Sequence, residues 1–390
     1  MKKKILFVVD EKKLGGVSIV LENILNNLDL KLLDITVLVL HNNGNRLENL
    51  NKQIKVIYGN KAFNIIDESF KSLLSSKKYI KALRKLILSY KIKTGAIKRY
   101  IIRQRNKLNI TGYDIEIAFK AGFCSLFVAY GDAKCKLNWI HEDYASYNMT
   151  KKYENTFKNV FAEFNHHIIV SSEAAKSFNN IYGFENKTKV IENYINEKQI
   201  LEKANEASKH VIDESKINIV TLGRFCNEKG YLRLIDAVNM LNKQDQEKFE
   251  LYILGSGYQE KEYIDKINEY NLKNIHVINS TNLKENVYAF MKRCDAFIMS
   301  SISESFGMVR IEALILGLPV ITTNVANTKQ MINDNIGIVV ENTTEGIYKG
   351  IECILQDKSY LNKLKQNVKG YSYEKQNEQI INEIQKMLEE

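Results

Sequence analysis

Two rhythms of apolar residues alternate along the chain. Short continuous apolar runs at 5–9, 35–40, 55–58, 114–119, 136–140, 167–170 and 190–191 read as strands buried on both faces. Between most of them, apolar residues recur three or four apart, the spacing of amphipathic helices such as 17–28. A polar helical stretch over 196–216 interrupts the pattern. It then restarts with strands at 217–222, 250–254, 275–278, 296–299, 319–322 and 337–340, and ends in a helical run over 373–388. Apolar strands alternating with helices predict parallel sheets covered on both faces. Two such sets predict an α/β chain of two doubly wound, Rossmann-like domains, 1–195 and 196–372, hinged near 193–197. A C-terminal helix, 373–390, is able to pack on either domain or cross back. Ligands of such folds bind at the carboxyl ends of the strands, so a cleft between the domains is the expected site.

Composition agrees with this division and narrows it. The 390 residues are 45% hydrophobic and 26% charged, a globular balance large enough for two cores. Cys124, Cys135, Cys226, Cys294 and Cys353 are scattered, with no CxxC pair, which fits a reducing compartment and argues against a zinc site or disulfide framework. The apolar run after Lys2-Lys3-Lys4 stops at Asp10, too short for a signal peptide. No stretch approaches the roughly 18 apolar residues that span a bilayer. A cytoplasmic protein is expected.

The net charge of +10 has one source. Thirteen Lys or Arg lie between residues 71 and 107, and no acid occurs between Glu68 and Asp114. The rest of the chain is therefore slightly acidic. Ile80, Leu83, Ile87 and Tyr90 recur at helical spacing inside this stretch. A helix with apolar and cationic faces reads as a dock for an anionic membrane surface, which places the protein peripherally on the inner face of the cell membrane. An ordinary solvated helix face is the plainer alternative. Nucleic acid is disfavoured as a partner, because no aromatic stacking array accompanies the charge.

Chemistry concentrates in segments that follow predicted strands. Leu14-Gly15-Gly16-Val17-Ser18 opens a helix whose amides suit a phosphate, although a plain strand-to-helix turn reads equally well. Gly223-Arg224 through Lys229-Gly230 sets two cations five residues apart, matched to the two phosphates of a nucleoside diphosphate. A solvated pair on a loop is the alternative. The longest segment carries Glu304, Ser305, Phe306, Gly307, Met308 and Glu312, a carboxylate loop leading into a helix that opens near Gly307. This geometry lets one carboxylate bind sugar hydroxyls and the other a ribose. His141 leaves a first-domain strand beside the only tryptophan, Trp139, and suits a sugar hydroxyl or phosphate, or a structural loop role. Gly255-Ser256-Gly257 is a weaker element, able to let a nucleotide lie against the backbone.

In this order the motifs resemble family 4 glycosyltransferases of the GT-B fold, of the bacterial surface-polysaccharide type. The resemblance covers nearly the whole chain and is most specific over 217–340. It implies two Rossmann-like domains facing across a cleft, with the acceptor on the first and the donor nucleotide sugar mainly on the second. It further implies a retaining transferase that needs no metal or other cofactor for chemistry, and no Asp-x-Asp occurs in the sequence. Carried onto this chain, it implies that Arg224 and Lys229 hold the donor diphosphate, with Gly15, Gly16 and Gly223 close to it. Glu304 contacts the transferred sugar and Glu312 the ribose. The amides of Phe306, Gly307 and Met308 meet sugar and phosphate, Gly255 and Ser256 line the donor, and His141 meets the sugar. The expected donor is a UDP-sugar and the acceptor a lipid-linked or polymeric glycan. Two features depart from the family pattern: Ile278-Asn279-Ser280 lacks the usual glycine, and Asn193-Tyr194-Ile195-Asn196 replaces a proline-containing hinge. A catalytically silent binding subunit and a sugar-nucleotide epimerase on the same scaffold are the rival functions.

Overall fold

The computed structural model describes residues 2–10, 15–41, 47, 49–66, 70–144, 153–207, 210–280 and 286–390, without the side chains of 71 and 72. Leu14 of the first glycine motif and Thr281, which follows the departing strand end, lie outside these residues. The chain divides into two units, Met1–Tyr194 with Glu378–Glu390, and Ile195–Asn377.

In the first unit the strands are β1 (Lys3–Val9), β2 (Leu33–Val39), β3 (Lys55–Tyr58), β4 (Ile115–Ala118), β5 (Cys135–Ile140), β6 (His166–Ile169) and β7 (Thr188–Val190). They form one parallel sheet in the order β3-β2-β1-β4-β5-β6-β7. β1 is central because its side chains Ile5 to Val9 can all be buried, with Ile5 beside Ile35 on one flank and Ile115 on the other. Strand order reverses between β1 and β4.

The second unit repeats the plan with β8 (Ile217–Arg224), β9 (Phe249–Ser256), β10 (Ile275–Asn279), β11 (Ala296–Met299), β12 (Val320–Thr323) and β13 (Gly337–Val340). The order is β10-β9-β8-β11-β12-β13, again parallel, and here the reversal falls between β8 and β11. Each expected strand is present, with its ends shifted by two residues at most. Pro319 stands just before β12, where its missing N–H costs nothing and its carbonyl accepts from Phe297 N at 3.0 Å. The helical stretch expected over 196–216 is shorter than its polarity suggested. Only Glu197–Ala204 is helical, and residues 208 and 209 lie outside the description. The final helix, Glu374–Glu389, starts in the second unit and ends in the first.

The basic stretch forms three helices, Phe70–Ser75, Tyr79–Lys93 and Ile97–Leu108. One of its cations does not belong to the surface. Arg105 is 4% exposed and grips the buried Glu116 of β4 with two hydrogen bonds of 2.6 and 2.9 Å. It also reaches Asp132 at 3.1 Å. Net charge counted along a sequence cannot tell such an inward cation from an outward one.

Removing one member of this pair strands the other in the core. Arg105→Met is expected to cost about 3–5 kcal/mol in urea unfolding. The double variant R105M/E116L is expected to recover most of that loss, because neither charge remains to be desolvated. Equal destabilisation of the two variants would show that the pair is not what holds this region.

Candidate functional site

The carboxyl ends of β8 and β11 sit side by side at the reversal of strand order, where crossover segments diverge and leave room for a ligand. β8 delivers Gly223 and Arg224 to that edge, and a short 3-10 turn, Asn227–Lys229, follows. β11 delivers the Ser300–Glu304 loop. Arg224 is exposed. Lys229 and Glu304, 75 positions apart, form an ion pair between largely buried side chains. Ser301 Oγ donates to the same Glu304 oxygen at 2.8 Å.

This meeting requires the two loops to be tied together. Gly230 has φ +65, and a Cβ there would lie 2.2 Å from the Ser300 carbonyl oxygen. Ser300 Oγ donates to Lys229 O at 2.9 Å, and Ile302 N to Glu228 O at 2.8 Å. Arg233 clamps the far side, donating to Ser300 O at 2.7 Å and Ser301 O at 2.6 Å. Gly223 leaves space for Tyr231 and the lysine stem, since a Cβ there would sit 2.6 Å from Tyr231 Oη and 3.2 Å from Lys229 Cε. Glycine at 255 has a structural cause as well. A Cβ would fall 1.8 Å from the Gly223 carbonyl oxygen, in the register that pairs Gly223 with Gly255 and Arg224 with Ser256.

Past Glu304, the helix Met308–Ile315 begins after Gly307 in the left-handed conformation (φ +76). Its first-turn amides open toward the carboxyl edge, as expected for a helix N-terminus. Buried Arg310 holds the approach, donating to the Phe306 carbonyl and to Asn327 Oδ1 and Thr328 Oγ1. Ser305 and Met308 are half-buried, while Phe306 is buried. Glu312 is buried just over one turn into the helix and accepts a hydrogen bond from the Tyr288 phenol. Burial pushes its carboxyl up to about 7, against the pull of Tyr288, Lys229 and Lys203.

The first unit has its own reversal point, between β1 and β4. Gly15 caps the helix Gly16–Asn27, and nothing lies within 4 Å of where a Gly16 Cβ would be. Asp10 follows β1, Lys120 follows β4 and His141-Glu142 follow β5, on three adjacent strands. Lys120 Nζ is 2.8 Å from Asp10 Oδ1. Burial pushes the Glu142 carboxyl up to about 7, with Asp10 adding to the rise and Lys120 opposing it. The His141 ring lies 4.8 Å from Phe119 and parallel to Trp139. Burial drives its imidazole down to about 3, against the Asn193 side chain. Burial thus keeps His141 neutral, with one ring N–H to donate and one ring nitrogen to accept.

The second unit thus gathers Gly223, Arg224, Lys229, Gly255, Ser256, the 304–308 loop and Glu312, and the first holds Gly15, Gly16 and His141. Asp10 and Lys120 escaped the sequence reading although their places just past strands were a usable signal. Arg310 lay inside the longest motif, whereas nothing in the sequence marks Arg233, Tyr288 or Lys203. Among the described residues, no cluster of three or more His, Cys, Asp or Glu is arranged to hold a metal ion. No helix among them is long and apolar enough to cross a membrane.

Known proteins share sequence with the second unit and the fold with the whole chain. Residues 202–371 match the family described as Glycosyl transferases group 1. An uncharacterized 41.2 kDa protein in the cps region of Klebsiella pneumoniae is 30% identical over 154 residues, 39% of this chain and 40% of that one. The lipopolysaccharide core biosynthesis glycosyltransferase LpsE of Rhizobium meliloti is 25% identical over 191 residues, 47% of this chain and 52% of its own. The chain spans about half or less of these curated relatives. The crystal structure of Anabaena HepE in complex with UDP and glucose aligns with 98% of this chain and 99% of its own, at 17% identity and a TM-score of 0.67. That likeness shows the fold, the two Rossmann-like domains of GT-B glycosyltransferases.

Glu312 provides a test of the site's electrostatics. Its carboxyl ordinarily titrates near 4.5 and is raised to about 7 in the folded chain. The stability it contributes is full below pH 4.5 and is lost as pH rises through 7. Glu312→Gln keeps the neutral form at every pH. The melting temperature of E312Q minus that of the parent is expected to climb from pH 5 to pH 8, and a flat difference would contradict the assignment.

Proposed function

We propose that the protein is a retaining glycosyltransferase that moves a sugar from a UDP-sugar to a hydroxyl of a lipid-linked or polymeric cell-surface glycan precursor. The observation that carries this reading is the convergence of Lys229 and Glu304 at the reversal point of the second sheet, with Arg224 at the end of β8 and Glu312 in the helix that follows the Glu304 loop. Arg224 and Lys229 neutralise the diphosphate and stabilise the charge that grows on it as the glycosidic bond breaks. Glu304 accepts from sugar hydroxyls, and Glu312 from the ribose. The amides that open the 308–315 helix supply further positive potential. In the first unit, neutral His141 bonds a sugar hydroxyl. With two cations facing the leaving group, this chemistry asks for no metal. The name of the Rhizobium relative supports a surface glycan, and UDP with glucose on HepE supports the donor class.

The same reading places the protein on the inner face of the membrane through its basic helices. On the helix Tyr79–Lys93, Ile80 is 73% and Tyr90 67% exposed, with Leu83 and Ile87 between them. An apolar stripe flanked by Lys and Arg suits an anionic bilayer surface.

Lys229→Ala and Glu304→Ala are each expected to slow UDP release from a UDP-sugar, with acceptor present, by about 100-fold or more while the chain stays folded. Full activity in either would overturn the reading, and turnover of the nucleotide sugar without acceptor would point to an epimerase. For the membrane, I80S/L83S/Y90S is expected to lose most co-sedimentation with phosphatidylglycerol vesicles. Binding that survives both that variant and 1 M salt, a Debye length of about 3 Å, would exclude this surface.

A further inference from the structure

Between the segment that follows β3 and the helices Tyr79–Lys93 and Ile97–Leu108 lies a cavity of about 260 Å³ that the transfer chemistry does not use. Three cations, Lys61, Arg84 and Lys91, line it. Among the described residues none of the three meets a carboxylate. The remaining wall is mostly apolar, formed by Ile65, Ile87 and Leu88 and closed by the Tyr100 ring. The wall is held in place by its own contacts. Lys91 Nζ sits 4.7 Å from the centre of the Tyr100 ring, and Tyr100 Oη donates to Ala62 O at 3.4 Å. Lys85 donates to the carbonyls of Ile65 and Ile66.

The cavity and the exposed apolar stripe are neighbouring faces of one helix. Arg84, Ile87, Leu88 and Lys91 follow the i, i+3, i+4, i+7 spacing of one face, and all four line the cavity. Ile80, Leu83, Ile87 and Tyr90 form the stripe beside it, and Ile87 belongs to both. Concentrated positive charge over an apolar wall fits an anion with a hydrocarbon tail. A free phosphate would leave the wall unused, and a neutral lipid would leave three cations uncompensated. The volume falls below the roughly 300–1,000 Å³ of pockets for drug-sized ligands, so it suits a headgroup and not a nucleotide sugar.

We propose that this cavity binds the phosphate head of a membrane lipid. Lys61, Arg84 and Lys91 take the charge, and the hydrocarbon leaves past Ile87 along the stripe. The proposal rests on the membrane reading above only for delivery of the lipid, and binding in solution separates the two.

Titration calorimetry of the full chain with farnesyl phosphate below its micelle concentration tests it. Saturable binding is expected, with farnesol and inorganic phosphate each at least about tenfold weaker. R84Q/K91Q is expected to lose about tenfold or more in affinity. Ala62→Leu fills the cavity with the charges kept, and is expected to lose as much; melting curves confirm that both variants fold. Equal affinity for farnesol, equal affinity for inorganic phosphate, or indifference to both variants would overturn the proposal. Farnesyl phosphate binding without vesicle binding would uphold the cavity and sink only the membrane dock. Vesicle binding without farnesyl phosphate binding would do the reverse.

Discussion

Parallel strands can be joined only by crossovers, so a parallel sheet wound outward in both directions must contain one place where its order reverses. In the second unit that place is the β8–β11 boundary, and the rest of the donor-site assignment depends on it. Segments leaving the two strand ends depart in different directions and leave a gap between them. Lys229 and Glu304 bridge it. Their geometry in turn rests on backbone, because only glycine at 230 lets the first loop close on the Ser300 carbonyl, and Arg233 then holds that carbonyl from behind. The first unit obeys the same constraint, with Asp10 and Lys120 paired across β1 and β4.

Burial tunes both places in the same sense. Glu312 and Glu142 are each pushed toward neutral pH, and His141 is held uncharged. A carboxyl in this position is costly to ionise until donors arrive to compensate it. Tyr288 supplies one such donor to Glu312, and ribose hydroxyls are the natural others in the proposed reading. Neutral His141, with Asn193 on its ring, can bond a hydroxyl through its Nε2, unpartnered among the described residues, without bringing a second charge beside Lys120.

Elements with a period were legible before the structure. The unbroken apolar run of β1 can only be a strand covered on both sides, and the glycines at 230 and 307 mark turns in the left-handed conformation that a side chain would strain. Pairings between distant residues carry no such period. Nothing in the chain announces that Lys229 meets Glu304 across 75 positions, or that Arg233 reaches the loop after β11. Arg105 shows the converse error. It stands in a run of surface cations and obeys the helical spacing, yet it turns inward because Glu116 is buried on β4. Helical phase told which face each residue occupies, not whether the buried face held an acid.

The Lys229–Glu304 pair also bears on how the site handles its own charge. Two ionised groups shielded from water at a strand edge are unfavourable unless each has a partner. With each other as partners the desolvation is offset, and Ser301 satisfies a further lone pair of the carboxylate. In the proposed reading, a diphosphate offers the lysine a stronger counter-charge than a carboxylate does. The carboxylate is then left to seek donors, and the hydroxyls of the attached sugar are donors at the right place. In that reading, anion recognition and sugar recognition are coupled through one ion pair. A nucleoside diphosphate without its sugar satisfies only half of the exchange, which favours the intact donor over the spent one.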